Sequence, residues 1–276
     1  MRKNFVVRIG LQELLIGLIL GWFLLAQQAS ALRPPAGVLV LRPGGYAFAD
    51  YPDAFDAFNK EGITIELWFY LTDIPSEWSE RWFLIGKPGN YFIDIHGKNP
   101  FLPLINDPEG TIYVEYEVCS GCGGGSSTFQ MPPGDSLLNR WVHVAYQIKG
   151  AGPVQNAEFF DGGILGTGET SSSCRFSLSV NPLFIGGKPG YNSLKGWIDE
   201  VRISRGWRYP VNKPINPPRR FQKDRNTLAI WHFDEGAWAP RYADASGNGY
   251  TLFASGTLPV NQEGKLTTMW GRLKMR

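Results

Sequence analysis

Histidine is the side chain best suited to moving protons near neutral pH, and this chain has three, His96, His143 and His232. They lie far apart, each inside an alternating strand-like pattern, which reads as packed or solvated imidazoles rather than a catalytic base. Carboxylates offer a second route. Asp199–Glu200 and Asp234–Glu235 are adjacent pairs, so in a strand their members face opposite sides and cannot flank one bond. Glu115 and Glu117 share a side, with Cα atoms roughly 7 Å apart in an extended chain, a separation that two-carboxylate glycoside hydrolysis can use. They alternate, however, with Ile112, Val114, Tyr116 and Val118, the pattern of a sheet with one wet face. No H-E-x-x-H, G-x-S-x-G, P-loop or dinucleotide fingerprint occurs. The chemistry on offer is binding rather than reaction.

Cys119, Cys122 and Cys174 are the only cysteines. In an exported chain they imply one disulfide and one leftover thiol, with the pairing open. The Cys119-Ser120-Gly121-Cys122 spacing lacks the helix start of a redox pair, since Gly123-Gly124-Gly125 follows, and zinc would want a fourth ligand. Asp244 and Asn248 bracket Ser246-Gly247 and offer oxygens in a tight loop. A hard cation such as calcium would suit them, but the same groups cap backbone N–H in an Asx-type turn, and the turn is favoured. No cofactor is otherwise indicated. Trp78, Trp82, Trp207 and Tyr209 fall at loop-like positions, with Arg205 and Arg208 as neighbours. Aromatic faces stack on sugar rings and guanidinium groups donate to their edges, so these six form the candidate ligand surface.

Strands must position these residues. The 33 Gly, 20 Pro and 10 Trp, with 43% hydrophobic and 19% charged residues, describe a globular chain of short strands and tight turns. Ile63 to Leu71 alternates cleanly, with Ile63, Ile65, Leu67, Phe69 and Leu71 on one face. In Ser193–Pro210, Gly196 ends a loop, and Trp197, Asp199, Val201 and Ile203 then share one face while Ile198, Glu200, Arg202 and Ser204 share the other. The first face is mostly apolar, so Asp199 is expected as a core-facing carboxylate with a fixed partner. Phe159-Phe160-Asp161-Gly162-Gly163 reads as a hairpin whose Asp-Gly turn needs positive φ.

Four segments carry a resemblance over roughly Gly37 to Tyr209. Ile63–Trp68 resembles the F-T-I-E-x-W element of laminin-G-like jelly rolls, and Trp141–Ala145 the W-x-H-V-A strand. Phe159–Gly162 resembles the Y-x-D-G hairpin, and Gly196–Ile203 the G-x-I-D-E-V-R-I signature. The family implies an all-β, two-sheet antiparallel sandwich, the concanavalin A-like jelly roll. The E-x-D-x-x-E strand of the related bacterial β-glucanases is absent. Trp231-His232-Phe233-Asp234-Glu235-Gly236 and the Asp244–Gly249 loop are similar to the opening strands of many such domains, yet here they follow the domain. About fifty residues cannot easily build a core of their own, so residues 227–258 are expected as added strands of the same sandwich.

The ends complete the expected organisation. Arg2, Lys3 and Arg8 precede an apolar run, Leu14 to Ala26, and a small-residue site at Ala29-Ser30-Ala31. This reads as a signal helix, residues 1–31, cleaved on export, with an uncleaved anchor as the alternative. Its removal leaves 24 basic and 24 acidic residues, so a global electrostatic case for nucleic acid fails, and no stable membrane span remains. Residues 32–36 form a short linker, 37–260 one jelly roll with a Pro-rich, basic linker at 210–226, and 261–276 a basic tail. The expected protein is a secreted or extracytoplasmic, non-catalytic binding or adhesion module for glycan or cell-envelope polysaccharide. A protein–protein adhesion or assembly module is the alternative, and a glycoside hydrolase of the same fold ranks third.

Overall fold

A computed structural model of the chain describes residues 33–51, 54–57, 61–97, 113–118, 125–130, 137–150, 154–169 and 179–255. Two compact units separate, Met1–Pro35 and Ala36–Arg276, and the architecture below is that of the second. The expected signal segment, the three cysteines and the basic tail lie outside the described residues. No helix among the described residues is long and apolar enough to cross a membrane.

Every regular element among the described residues is a strand, and all ladders between those strands are antiparallel. One sheet, A, runs β1 (Leu39–Val40), β12 (Gly196–Arg205), β3 (Ile63–Leu71), β8 (Trp141–Lys149), β9 (Gln155–Phe160), β10 (Gly163–Glu169), with β13 (Thr227–Trp231) also paired to β12. The other, B, runs β14 (Arg241–Tyr242), β15 (Leu252–Ala254), β2 (Ala47–Ala49), β11 (Leu183–Ile185), β4 (Trp82–Lys87), β5 (Tyr91–His96), β6 (Tyr113–Val118), β7 (Gly125–Gln130). Their facing sides close one apolar core. Ile65, Leu67, Phe69, Val142 and Val144 enter it from sheet A, and Ile85, Ile93, Ile95 and Ile185 from sheet B. This is the two-sheet jelly-roll sandwich that the sequence resemblance implies. The late segment joins both sheets, since β13 pairs with β12 and β15 with β2.

Strand β12 departs from simple alternation. Asp199 pairs with Trp68 and Arg202 with Glu66, so three steps on β12 span two on β3. That is a β-bulge, and Glu200 sits in it with φ of +50°. The extra residue resets the parity. Ile198, Val201 and Ile203 enter the main core, while Trp197 and Asp199 lie on the outer side. The expectation of a core-facing Asp199 is therefore corrected: Asp199 is only partly buried, and Glu200 is the buried, partnered carboxylate. Glu200 Oε2 accepts the Phe221 backbone N–H at 2.7 Å and Oε1 meets His232 Nδ1 at 2.8 Å.

The Pro-rich stretch expected as a linker is a strap over the outer face of sheet A. Prolines lack the N–H that a ladder requires, so the segment packs without becoming a strand. Trp207, Tyr209 and Ile215 lie on Ala145, Ala157 and Phe159, and Phe221 packs with Trp68 and Ile230. Trp68 Nε1 donates to the Pro218 carbonyl at 3.1 Å, and the Ile215 N–H to Gly162 O at 2.8 Å. Gly162 is needed twice here: its φ is +81°, and a Cβ would lie 2.5 Å from the Ile215 carbonyl.

Candidate site on the outer face of sheet B

With the outer face of sheet A under the strap, the outer face of sheet B carries the other concentration of aromatic and charged side chains. Its strands put Ala47, Ala49, Ile93, Ile95, Leu183 and Ile185 inward, so the intervening residues point out. One register row crosses the sheet: Phe253 pairs with Phe48, Phe48 with Phe184, Phe184 with Gly86, Gly86 with Phe92, and Phe92 with Glu117. Gly86 is the gap that seats Phe92, whose Cβ would lie 2.3 Å from a Cβ placed there. Phe48, Phe83 and Phe184 form a buried floor, and Tyr46, Phe92, Tyr191 and Phe253 pack on it while staying partly exposed. Lys188 Nζ stands 3.4 Å from the centroid of the Tyr191 ring.

Beside this floor the next row places charge. Phe83 pairs with Asp94 and Asp94 with Glu115. Arg81 bridges the two carboxylates, with Nε 2.8 Å from Asp94 Oδ2 and Nη2 2.5 Å from Glu115 Oε2. Its guanidinium also lies over the Trp78 and Phe92 rings, at 5.9 and 5.6 Å. His96 packs edge-on to Trp78 with ring centroids 3.8 Å apart, and its Nδ1 donates to the Gly97 carbonyl at 3.1 Å.

Electrostatics at this corner are dominated by burial. Desolvation raises the Asp94 carboxyl to about 7; Arg81 opposes the shift, while Glu115 and Glu117 add to it. The Arg81 ion pair and the raised value pull in opposite directions. Burial prevails, because the Asp94 side chain is fully enclosed and its Oδ1 accepts no hydrogen bond among the described residues. Glu117 is pushed up first by burial and then by Glu115, and burial lowers Lys188.

A pH dependence of stability follows. Asp94 keeps its proton in the folded state up to about 7, whereas unfolded it loses it near 3.9. The folded form binds more protons between these values, so stability falls as pH rises from about 4 to about 7. The loss is on the order of 3–4 kcal/mol. Asp199, also raised to about 7 by burial, acts in the same direction, so the Asp94 share is read by difference. Urea titrations at pH 5 and pH 8 should show Asp94→Asn gaining on wild type as pH rises. A wild-type-minus-variant difference that is flat across that window would refute the assignment.

Asp94, His96 and Glu115 also place ligand-type atoms within 4.8 Å of one another. The donor set suits a divalent cation, but the Arg81 guanidinium already occupies both carboxylates, so a cation would have to displace it. At the cation site considered from the sequence, Asp244 accepts hydrogen bonds from the Ile230, Ser246 and Tyr250 N–H groups and from the Ser246 hydroxyl. Asn248 turns its amide nitrogen to the Thr227 and Leu228 carbonyls. This is Asx-turn geometry, with the oxygens of Asp244 already committed.

The six residues expected as one aromatic surface are not brought together. Trp82 is the first residue of β4 and is fully buried in the main core; the loop ends one residue earlier than its composition indicates. Trp207, Arg208 and Tyr209 begin the strap on sheet A, where Arg208 donates to Ser204 and Asp224 and the Tyr209 hydroxyl to Glu66. Arg205 is exposed near Glu61. Only Trp78 reaches the face described here. Glu115 and Glu117, read from the sequence as a wet sheet face, belong to this corner, and Glu115 is buried; Phe92, Asp94 and His96, which the sequence reading missed, alternate in Tyr91–His96. What the sequence could not show is that these strands are neighbours.

Comparison with known proteins agrees with this architecture. The profile of the concanavalin A-like lectin/glucanases superfamily matches residues 43–210. No curated protein matches the chain. Among solved structures, a proposed carbohydrate binding protein from Bacteroides ovatus superposes with a TM-score of 0.50 at 16% identity, covering 77% of this chain and 56% of that one. Domains LG4-5 of the mouse laminin alpha1 chain give 0.41 at 16% identity, covering 65% and 45%. Domain 4 of a GH43 extracellular arabinanase from Geobacillus stearothermophilus, in complex with arabinotriose, gives 0.35 at 16% identity, covering 64% and 85%. The chain thus spans little more than half the length of the Bacteroides protein.

Proposed function

The chain belongs to the concanavalin A-like lectin/glucanases superfamily, and from that premise we propose that it is an exported, non-catalytic module that binds a carbohydrate on the outer face of sheet B. The observation that carries the reading is the aromatic row flanked by the Arg81–Asp94–Glu115 corner. A pyranose presents an apolar C–H face and a rim of hydroxyls. Phe92, Tyr191 and Trp78 can meet the first, while Lys188, Glu117 and Arg81 can meet the second. The proposed ligand class also fits the Bacteroides protein of like fold, itself proposed to bind carbohydrate.

The same corner argues against hydrolysis. A glycosidase needs one free carboxylic acid and one free carboxylate across the scissile bond. Here the Arg81 guanidinium bridges Asp94 and Glu115, filling the place between them that a scissile bond would have to take. The test is a glycan array with the protein lacking residues 1–31, followed by calorimetry on the selected glycan with Phe92→Ala and Tyr191→Ala. Each variant should lose roughly 1–3 kcal/mol of affinity, by analogy with aromatic stacking on bases, while its melting curve shows that it still folds. Unchanged affinity in both variants removes this face, and release of reducing sugar overturns the non-catalytic reading.

A further inference from the structure

We infer that the ligand of sheet B is an extended chain of several sugar rings, which leaves the face over its β14–β15 edge and ends on Trp238. The inference rests on the carbohydrate reading above and assigns the ligand's length and a terminal subsite. Three observations converge on that edge. The row carries Phe253, Phe48, Phe184 and Phe92 on β15, β2, β11 and β5, with Gly86 between them on β4, and its partly exposed rings are Phe253 at one end and Phe92 at the other. With adjacent strands ~4.8 Å apart, those two rings lie roughly 19 Å apart, too far for one sugar ring to meet both and suited to a chain. The row does not stop at the sheet: Phe253, its last member, also lines an open groove with Glu235, Ala239, Arg241 and Thr251.

Beside that groove, in the turn that supplies Glu235 and Ala239, stands Trp238. It is 49% exposed, and its φ of +68° puts a bulky residue in a region that favours glycine. Such a conformation persists only where the surroundings enforce it, and Phe233 in the same turn shares it, with φ of +58°. The Arg42 guanidinium lies 5.9 Å from the indole centroid. Polar partners for a ring edge are at hand. Glu235 is held at the groove wall by the Ala243 N–H at 2.6 Å, and the exposed Arg241 pairs with no carboxylate among the described residues. An exposed indole with the Arg42 guanidinium beside it, next to a groove that carries Glu235 and Arg241, offers a ring for stacking and polar groups for hydroxyls.

The experiment uses native gels cast with hydroxyethyl cellulose, arabinan, xylan or pectin, run on the full protein. Tri- and hexasaccharides of whichever polymer retards it are then titrated by calorimetry. Wild type should bind the hexasaccharide about tenfold tighter than the trisaccharide, the equivalent of one lost stacking contact. Trp238→Ala should erase that difference. Trp238→Gly should erase it too, with a melting temperature no lower than wild type, because glycine relieves the strained backbone. That control separates a lost subsite from a damaged fold. Equal wild-type affinity for both lengths, or a length dependence that survives in both variants, overturns the extended-chain inference while leaving the carbohydrate reading intact. Migration unaffected by all four polymers defeats both.

Discussion

Ending the chain after Pro218 is expected to abolish cooperative folding rather than to liberate a smaller stable domain. The deletion removes Trp231, Phe233, Tyr242 and Leu252, all fully buried in the core between the sheets. Burying each contributes roughly 1.5–3 kcal/mol, and four together match the whole 5–15 kcal/mol by which a domain is ordinarily stable. Two edges are opened as well, because β13 covers part of β12 and β15 covers β2. The Tyr51 hydroxyl loses the Gly249 carbonyl, and the Tyr46 carbonyl loses the Ser255 N–H. Exposed edges promote association, so the truncated protein should aggregate and show no sigmoidal thermal transition by circular dichroism. A two-state melt at the full-length midpoint would show that residues 219–276 are dispensable, and the argument from shared strands would fail with it.

Where the chain follows local rules, its structure was legible. Ile63–Leu71 needed only alternation, because a strand with one face on the core writes that face into every second residue. Asp161 and Gly162 both take positive φ, +50° and +81°, and Phe160 pairs with Gly163 across them, as a tight Asp-Gly hairpin requires. Asp199 shows where alternation stops helping. A single bulge at Glu200 exchanges the two faces beyond it, and nothing in Gly-Trp-Ile-Asp-Glu-Val-Arg-Ile marks the residue that is extra. Assigning Trp197 and Asp199 to the core followed from counting by two through a position where the count changes.

The candidate site was hidden for a different reason. Phe48, Phe184 and Phe253 come from β2, β11 and β15, each three residues long, too short to display a period. Phe48 lies well over a hundred residues before Phe184, and Phe253 follows Phe184 by about seventy, so only strand order makes them neighbours. Loop-like composition drew attention to Trp82 and Trp207 instead. One begins a core strand and the other is pressed onto sheet A by the strap, with Lys149 Nζ 4.2 Å from its ring centroid.

Glu66→Ala should be the most damaging single substitution at a charged residue of this fold. Glu66 points outward from β3, yet the strap buries it completely. It accepts Arg202 Nε at 2.7 Å and the Tyr209 hydroxyl at 2.6 Å, with His143 Nε2 at 3.3 Å. Burial alone would raise its pKa, but the His143 hydrogen bond and the charge of Arg202 outweigh it, and the carboxyl is held below its ordinary value. Removing the carboxylate strands a guanidinium that is itself buried against Phe221, and deleting one partner of a buried pair costs about 3–5 kcal/mol. It also unfastens Tyr209, the first anchor of the strap. Glu66→Gln keeps the shape and should cost less. The sign with pH distinguishes this from mere cavity formation. A carboxyl whose folded pKa is depressed stabilises above its unfolded value near 4.3, and that contribution is lost as pH falls below it through the folded value. Urea unfolding should therefore show a large deficit for Glu66→Ala at pH 7 that narrows at pH 3, read against Glu66→Gln at both. A deficit under about 1 kcal/mol at pH 7, the scale of an exposed ion pair, would mean that the strap, not the carboxylate network, holds the outer face of sheet A.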